Sequence, residues 1–276
     1  MLSIITCSVN PNLLSQLSDS IKSTVFVPYE IIAFDNSISK SSITYAYNFS
    51  ASKAKYQNLV FVHEDVEFLK PGWADKLISI LQNKNIGIVG VAGSTYLPSV
   101  PSGWYLPDEQ YNKVFIHQGF KYKESSVRFD NHGEDMTPVF LLDGVFLGMR
   151  SDVYKEFPFN DSLEGFHGYD VDISQRISTK YSNMFTNQIE ILHHSEGKVD
   201  QSYFDAILNY KNAMLSFQYS KRIYYLEFQM IQHFYSHLRC FYDRSSSIMK
   251  IKPFFRIKYL GWKNFFNFLF LLINDK

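Results

Sequence analysis

Three clusters of side chains in this 276-residue chain have the types and spacing to do chemistry. The first is His63-Glu64-Asp65, which follows directly on the apolar run Leu59–Val62. Acidic groups at the end of a buried strand are costly unless a cation is bound there. In an extended backbone, His63 and Asp65 point to one side and Glu64 to the other. Carboxylates suit Mg²⁺ or Mn²⁺, so we predict a metal site anchored by Asp65. The alternative is an acidic strand end in contact with solvent alone.

The second cluster is Tyr169–Asp172, with Arg176 four residues after Asp172. The segment reads as a loop that enters a helix, and the helix dipole favours carboxylates in the first turn. Asp172 and Arg176 also have the spacing of an ordinary helical ion pair. The residues alone leave a structural and a catalytic role open for both aspartates.

The third cluster is His193-His194, at the end of the strand pattern Gln188–Leu192. Adjacent side chains on a strand face opposite sides, so at most one of the two histidines can reach a metal ion. A histidine pair on the surface is the alternative.

Composition excludes several classes of function. Hydrophobic residues make up 46% and charged residues 20%, as in ordinary globular proteins. The formal net charge of zero disfavours a general nucleic-acid binder. Cys7 and Cys240 lie far apart without metal-type spacing, which favours a reducing, cytoplasmic setting. We expect no signal peptide, and no run approaches the roughly 18 apolar residues of a membrane span.

The first ninety residues alternate between strand and helix patterns, which predicts βαβ units and a parallel sheet. In such sheets, ligands bind beyond the carboxyl ends of the strands. Here the predicted strand ends are polar and converge on one crevice; they are Cys7–Asn10, Asp35–Ser37 and His63–Asp65.

Beyond the first ninety residues, the strand and helix patterns are less regular. We predict a long, irregular loop over Thr95–Pro138 and a strand over Val139–Arg150 with Asp143-Gly144 in its middle. From Gln201 the pattern is helical to about Asp243. The tail Lys250–Lys276 mixes basic and aromatic residues. It suits either an anionic membrane surface or a helix that packs on the protein or at a dimer interface.

The stretch LVFVHEDVEFLKPGW, residues 59–73, resembles the Asp-x-Asp strand end of family-2-like nucleotide-sugar glycosyltransferases with the GT-A fold. His63 stands where the first Asp usually is, and Asp65 stands at the last. The resemblance covers roughly residues 1–200. It implies an α/β, Rossmann-like fold with a mostly parallel sheet flanked by helices and a C-terminal helical extension.

The resemblance also implies a division of the chain. Residues 1–200 would form the GT-A catalytic domain, in which 1–92 are the nucleotide-sugar-binding half and 93–200 the acceptor half. Residues 201–276 would form the helical, aromatic-rich extension.

The activity implied is that of an inverting, metal-dependent hexosyltransferase in polysaccharide biosynthesis. The donor would be a nucleotide-diphosphate sugar, specifically a UDP-sugar, and the acceptor a hydroxyl of a glycan or a lipid-linked glycan. The cofactor would be Mn²⁺ or Mg²⁺. The expected location is the cytoplasm; a peripheral position at the inner face of the membrane and a homo-oligomer stay open.

Site residues follow from the same resemblance. Asp170 is the expected catalytic base, and Asp172 its structural neighbour and the next candidate. Asp65 is the expected metal ligand, joined by His194 in first place and His193 in second. The expected acceptor-binding residues are Trp104 and Tyr105. The expected donor-binding residues are Thr6, Ser8, Asn10, Asp35, Asn36, Asn48, His63, Glu64 and Asp143.

Alternatives remain for some of these positions and for the function. Asp35 and Asn36 also suit a turn, Asn48 a buried or capping amide, and Trp104 an anchor of its loop. Residues 169–176 resemble the Glu-Asp-x-Asp…Arg element of the inverting family-2 enzymes, with Tyr169 where the Glu often stands. Because His63 and Tyr169 depart from the family pattern, a non-catalytic nucleotide-sugar or glycan-binding module with a degenerate site stays open. A sugar nucleotidyltransferase is disfavoured, since SVNPNLL lacks a glycine-rich, basic loop for triphosphate.

Overall fold

The structure is a computed structural model that describes residues 1–120, 123–131, 134–195, 201–209 and 222–275. Its core is a sheet of seven strands in the spatial order β2-β1-β3-β11-β5-β12-β9. The strands are β1 (Leu2–Ser8), β2 (Tyr29–Asp35), β3 (Asn58–Val62), β5 (Ile86–Gly90), β9 (Met136–Val139), β11 (Phe146–Arg150) and β12 (Ser182–Thr186). β1 runs parallel to β2 and β3, and β12 parallel to β5, whereas β11 and β9 run antiparallel to their neighbours. The predicted α/β GT-A class is confirmed, with a sheet of mixed direction.

A second sheet lies in the spatial order β10-β6-β7-β13-β4, with β8 paired to β7. Its strands are β4 (Val66–Phe68), β6 (Ala92–Ser94), β7 (Asn112–Phe120), β8 (Lys123–Asn131), β10 (Leu141–Leu142) and β13 (Ile191–His193). The prediction of an irregular loop over Thr95–Pro138 is therefore wrong. Strand β7 carries polar residues among apolar ones, and its partners β6 and β13 lie on both sides of it in the sequence. Local periodicity is weak in such a strand, because long-range pairing stabilises it.

The prediction of a strand through Asp143-Gly144 is wrong as well. Both residues lie in the turn between β10 and β11. The apolar run on each side belongs to two strands in different sheets, which a single window of hydrophobic residues cannot separate.

Helices cover the first sheet and have local signals for their starts. Helix α1 (Pro11–Thr24) begins after Asn10, whose side chain accepts a hydrogen bond from the Asn12 amide at 3.0 Å. α3 (Trp73–Leu81) and α5 (Tyr169–Ser178) each follow a glycine with positive φ. The other helices here are α2 (Ile43–Ala51) and α4 (Ser151–Glu156). Leu17, Ile21, Trp73 and Leu77 belong to the core on one side of the sheet; Tyr47, Tyr169 and Ile173 belong to the core on the other.

The C-terminal helices are α6 (Gln201–Asn209), α7 (Tyr224–Phe241), α8 (Arg244–Ile251) and α9 (Ile257–Asn274). They form a third apolar core that includes Phe204, Phe234 and Phe254 and reaches back to Tyr96 and Leu106. Buried Glu227 of α7 joins the two parts by accepting hydrogen bonds from Tyr96 Oη at 2.6 Å and the Ser99 amide at 3.0 Å. Within the described residues, no helix is both long and apolar enough to cross a membrane.

Candidate active site

His63, Asp65 and His193 form a cluster in which one possible ligand atom of each lies within 4.8 Å of the others. His63 and Asp65 lie in the turn between β3 and β4, and His193 is the last residue of β13. The antiparallel register pairs His193 with Val66, which brings the imidazole beside Asp65. His193 Nε2 lies 3.4 Å from Asp65 Oδ1. The predicted shared orientation of His63 and Asp65 agrees with this arrangement.

The preference for His194 over His193 is corrected by this geometry. The His194 amide donates to the Asp65 carbonyl at 2.9 Å, but its side chain points to the other side of the strand. There His194 Nε2 lies 2.5 Å from Glu67 Oε1. The register decides which of two adjacent histidines faces the cluster, and the register was not visible in the sequence.

The electrostatics of the cluster fit a bound cation. Burial and the nearby His193 lower the pKa of His63, which favours its neutral, metal-binding form. Burial alone would raise the pKa of Asp65, but His193 and His63 outweigh it and hold that pKa below its usual value. His193 Nε2 is buried, and its contact with Asp65 Oδ1 at 3.4 Å is too long for a well-formed hydrogen bond. A buried imidazole nitrogen that makes only a long contact with an ionised carboxylate forms, with that carboxylate, a donor set that a divalent ion would complete.

Glu64 bonds to residues away from the cluster, in agreement with the side-chain alternation predicted for an extended backbone. Its Oε2 accepts hydrogen bonds from Ser8 Oγ at 2.6 Å and from the amides of Val9 and Asn10 at 3.1 and 2.9 Å. The carboxylate therefore holds the loop between β1 and α1. Three expected donor-binding residues, Ser8, Asn10 and Glu64, are thereby brought together, and their contact with a donor stays a prediction.

The other residues expected around the nucleotide lie in two kinds of environment. Thr6 is buried, and its Oγ1 has no partner among the described residues. Asp35 is exposed and accepts from the Ser37 amide at 3.0 Å, while the buried side chain of Asn36 accepts from the Ser41 amide at 2.7 Å. Asp35 and Asn36 thus build the turn after β2, which was the alternative interpretation of both residues.

The side chain of Asn48 forms all its hydrogen bonds with other residues of the protein. Its Nδ2 donates to Phe159 O at 2.8 Å and to Asp161 Oδ1 at 2.7 Å, and its Oδ1 accepts from Tyr154 Oη at 2.9 Å and from the Phe159 amide at 3.1 Å. An amide side chain has two donor and two acceptor positions, and all are used. The expected donor contact of Asn48 would require one of these bonds to break, so the structure favours the alternative, in which this half-buried amide bonds the protein itself.

Asp170 lies in the first turn of α5, and it lines the same cavity as the cluster of His63, Asp65 and His193. Its oxygens accept hydrogen bonds from the Val171 amide at 2.9 Å and the Gly144 amide at 3.3 Å. Burial and the negative charge of Asp143 raise the pKa of Asp170 from 3.8 to about 7. A carboxylate with a pKa near neutrality is suited to accept and release a proton.

Asp172 differs from Asp170 in its surroundings. It is buried, and its Oδ2 accepts from Arg176 Nε at 2.7 Å, as the spacing of a helical ion pair predicts. Arg176 in turn donates to Pro158 O at 2.7 Å. These contacts fix the start of α5 against the preceding loop, which supports the structural role of Asp172 and argues against a catalytic one.

Asp143 joins the turn between β10 and β11 to the loop that carries Trp104. Asp143 Oδ1 accepts from the Val145 amide at 2.7 Å, and Oδ2 accepts a short hydrogen bond from Trp104 Nε1. Trp104 lies edge-on to Tyr105, with ring centroids 5.6 Å apart. The indole is therefore fixed beside the cavity by a carboxylate, and Tyr105 extends the aromatic surface.

Tyr169 of α5 reaches across the cavity to the cluster of His63, Asp65 and His193, a role that the sequence pattern did not predict. Its hydroxyl is hydrogen-bonded to His63 Nε2 at 2.7 Å. The first atom of a side chain at position 144 would lie 2.0 Å from this hydroxyl, so only glycine fits there. Tyr169 thereby orients the His63 ring, and a metal ion bound by His63 would have to use Nδ1 or displace this bond.

One cavity of about 790 Å³ is lined by the cluster of His63, Asp65 and His193 and by Asp170 and Trp104. Its far wall comes from α6 and α7, through Phe204, Ile207, Met230, His233, Phe234 and His237. Sequence reasoning missed this wall, because the family resemblance ended near residue 200. The aromatic content of 201–243 was the available signal.

Residues 3–213 match the profile of a family described as glycosyltransferase-like, Glyco_tranf_2_5. The chain belongs to this family. The predicted resemblance to family-2-like glycosyltransferases is therefore confirmed. No curated protein sequence matches the chain at a significant level.

Solved structures with the same fold share little sequence with this glycosyltransferase-like chain. GalNAc-T7 with UDP, GalNAc and Mn²⁺ is 12% identical with a TM-score of 0.53, over 92% of this chain and 54% of the other. S. aureus TarS is 10% identical with a TM-score of 0.52, over 90% and 74%. The mannosyltransferase PcManGT from Pyrobaculum calidifontis, in complex with GDP-Man and Mn²⁺, is 10% identical with a TM-score of 0.51, over 91% and 75%. The chain thus spans about half of GalNAc-T7, and these matches establish the fold.

Proposed function

We propose that this glycosyltransferase-like protein is an inverting, metal-dependent hexosyltransferase that uses a nucleoside-diphosphate sugar, specifically a UDP-sugar. The observation that carries the proposal is the shared cavity: the cluster of His63, Asp65 and His193 and the carboxylate of Asp170 both line it. The cluster is suited to bind a metal–diphosphate complex, and the carboxylate of Asp170 is suited to accept a proton. That structurally similar proteins hold UDP or GDP-Man together with Mn²⁺ supports the same donor class.

His63, Asp65 and His193 would hold the metal ion, and we favour Mn²⁺ over Mg²⁺. Two imidazole nitrogens are unusual ligands for Mg²⁺, which prefers oxygen donors in an octahedral arrangement. When bound, the ion would supply positive charge that stabilises the departing diphosphate. Glu64 would act indirectly, since it holds the loop that begins α1.

The proposed reaction is a single displacement at the anomeric carbon. Asp170 takes the proton of the acceptor hydroxyl while that oxygen forms a bond to the anomeric carbon. The bond from this carbon to the diphosphate oxygen breaks, and the nucleoside diphosphate leaves with the electron pair. Because attack and departure occur on opposite faces, the configuration at the carbon inverts. The pKa of about 7 for Asp170 leaves a large ionised fraction at neutral pH.

The acceptor would enter between Trp104 and the wall formed by α6 and α7. Asp143 fixes the Trp104 ring, and a fixed aromatic face suits a sugar ring. Phe204, Ile207 and Met230 add apolar surface on the opposite side. This combination supports a glycan or lipid-linked glycan as acceptor, in a polysaccharide-synthesis pathway.

The proposal is tested with a panel of UDP- and GDP-sugars, with Mn²⁺, Mg²⁺ or a chelator. We expect Mn²⁺-dependent release of nucleoside diphosphate from one donor, and its loss in Asp65→Asn. Asp19→Asn, an exposed aspartate on α1, is the matched control and should retain activity.

Two results would contradict this function. Stabilisation by a nucleotide-sugar without release of nucleoside diphosphate, with glycan acceptors present, would indicate a binding module. Full activity of Asp65→Asn would exclude the proposed metal site.

A further inference from the structure

Helix α9 presents a stripe of large apolar side chains to solvent. Trp262, Phe266, Phe270 and Ile273 are 68%, 55%, 70% and 67% exposed. Their spacing of four, four and three residues places them on one face of the helix. The opposite face, with Phe268 and Leu272, is buried against the rest of the C-terminal core.

This face is held in place by specific contacts. The Phe268 ring lies edge-on to Tyr235 of α7, with centroids 5.9 Å apart, and Asn264 Nδ2 donates to Tyr224 O at 2.8 Å. Asp275, just after the helix, accepts from Tyr235 Oη at 2.5 Å and pairs with Arg239 at 3.0 Å. The exposed stripe is therefore a fixed surface of a packed helix.

The segment that carries the stripe is strongly basic, although the whole chain has no net charge. From residue 244 to residue 274 every acidic or basic residue is a cation. These cations are Arg244, Lys250, Lys252, Arg256, Lys258 and Lys263. Lys252, Arg256, Lys258 and Lys263 are exposed. The stripe and these cations belong to one segment, and the carboxylate that follows the segment, Asp275, is paired with Arg239. A segment that exposes both apolar and cationic side chains is complementary to a surface that is apolar inside and anionic outside.

A groove of about 270 Å³ lies beside the stripe between α8 and α9. Ile273 belongs to both, and Ile248, Ile251 and Phe255 continue the apolar lining. Arg244 and Lys252 also line the groove. An apolar groove with two cations suits an acyl chain and the phosphate of the same lipid.

We propose that residues 244–274 dock on the surface of an anionic lipid bilayer, with Trp262, Phe266, Phe270 and Ile273 inserted among the lipids. This inference is independent of the reaction proposed above. Pairing of this face with a second copy is less favourable, because a symmetric contact would set the same cations against each other.

Flotation with vesicles tests the proposal, using phosphatidylcholine alone or mixed in equal parts with phosphatidylglycerol. We expect the protein to bind the mixed vesicles, with a blue shift in the fluorescence of exposed Trp262; Trp262→Phe should abolish that shift. Replacing Trp262 and Phe270 together with Gln should weaken binding about tenfold or more. Replacing Lys258 and Lys263 together with Gln should do the same, at about 1 kcal/mol for each cation near the surface.

Matched controls alter equally exposed residues elsewhere. Phe26 and Ile38, which are 72% and 90% exposed, are replaced with Gln, and Lys40 and Lys84 likewise. These variants should bind as the unaltered protein does. Equal vesicle binding by the unaltered protein and the Trp262/Phe270 variant would overturn the proposal, as would absence of binding to the mixed vesicles. If the unaltered protein self-associates without binding vesicles, and the Trp262/Phe270 variant alone loses this self-association, the face would be assigned to contact with a second copy.

Discussion

His193 and His194 show how much one residue position matters at the candidate metal site. The imidazole of His193 lies beside Asp65, whereas that of His194 is bonded to Glu67 on the other side of the strand. Alternation along a strand predicts that only one can face the cluster. Which one does so depends on the pairing of β13 with β4, which no local pattern encodes.

We expect His193→Ala to weaken Mn²⁺ binding by about ten- to a hundredfold, because it removes one of three ligands. Titration calorimetry in the absence of donor measures this affinity. His194→Ala is the matched control and should bind Mn²⁺ nearly as well as the unaltered protein. A larger loss for His194→Ala than for His193→Ala would contradict the assignment.

The raised pKa of Asp170 predicts a pH dependence of the transfer rate. A general base acts when ionised, so the rate should fall about tenfold for each pH unit below a pKa of about 7 and level off above it. Asp170→Asn should remove this limb from any residual activity. A rate that is constant from about pH 5 to about pH 8 would exclude Asp170 as the base.

The same carboxylate should cost stability where it is ionised. Its pKa is raised on folding from 3.8 to about 7, so the folded state binds the proton more tightly and stability falls as pH rises between these values. Asp170→Asn cannot ionise. The melting temperature of the variant minus that of the unaltered protein should therefore increase as pH rises from about 5 to about 8. A constant difference over this range would contradict the shifted pKa.

At the scale of elements, the start of α5 combines a catalytic candidate with a structural ion pair. Asp172 is 3% exposed and lies 2.6 Å from Arg176, which is 27% exposed. We expect Asp172→Asn to lower the free energy of unfolding by about 1–3 kcal/mol, since Arg176 is partly solvated. Denaturant unfolding measures this loss, and the rate of transfer per folded molecule should stay nearly unchanged. A large loss of that rate would instead make Asp172 part of the catalytic apparatus.

The turn between β10 and β11 and the helix α5 fit each other closely at Gly144. A methyl group there would meet the Tyr169 hydroxyl at 2.0 Å. Gly144→Ala should therefore cost about 1–3 kcal/mol of stability and displace Tyr169 from His63. Thermal unfolding and Mn²⁺ affinity should both decline. A variant with unaltered stability and affinity would show that this contact has no such role.

The elements that local patterns predict well are those of the first half. β1, α1, β2, α2 and β3 combine apolar runs with helix-start signals such as Asn10-Pro11, and their sequential neighbours are also spatial neighbours. The second sheet has neither clear local patterns nor pairing between sequential neighbours throughout. Its strands come from positions between 66 and 193 in the chain, so their pairing is a property of the whole fold.

At the scale of the whole molecule, the candidate site depends on parts that lie far apart in the sequence. The positions of His63, Asp65 and Asp170 at the candidate site were predictable, because their order along the chain follows the family pattern, although His63 stands where an Asp is usual. The role of Tyr169 was not predictable, since it depends on a hydrogen bond to His63 across the site. The wall from α6 and α7 was not predictable either, because it depends on packing between these helices and residues 96–106, which are distant in the sequence.

The most direct test of the account separates donor binding from transfer in Asp170→Asn. With the donor identified and Mn²⁺ present, calorimetry should give a donor affinity within about threefold of the unaltered protein, because Asp170 is assigned to the acceptor hydroxyl. The rate of sugar transfer should fall by about a hundredfold or more, while Asp19→Asn retains both. Unchanged transfer by Asp170→Asn would contradict the central claim that this carboxylate is the base beside a metal-bound donor.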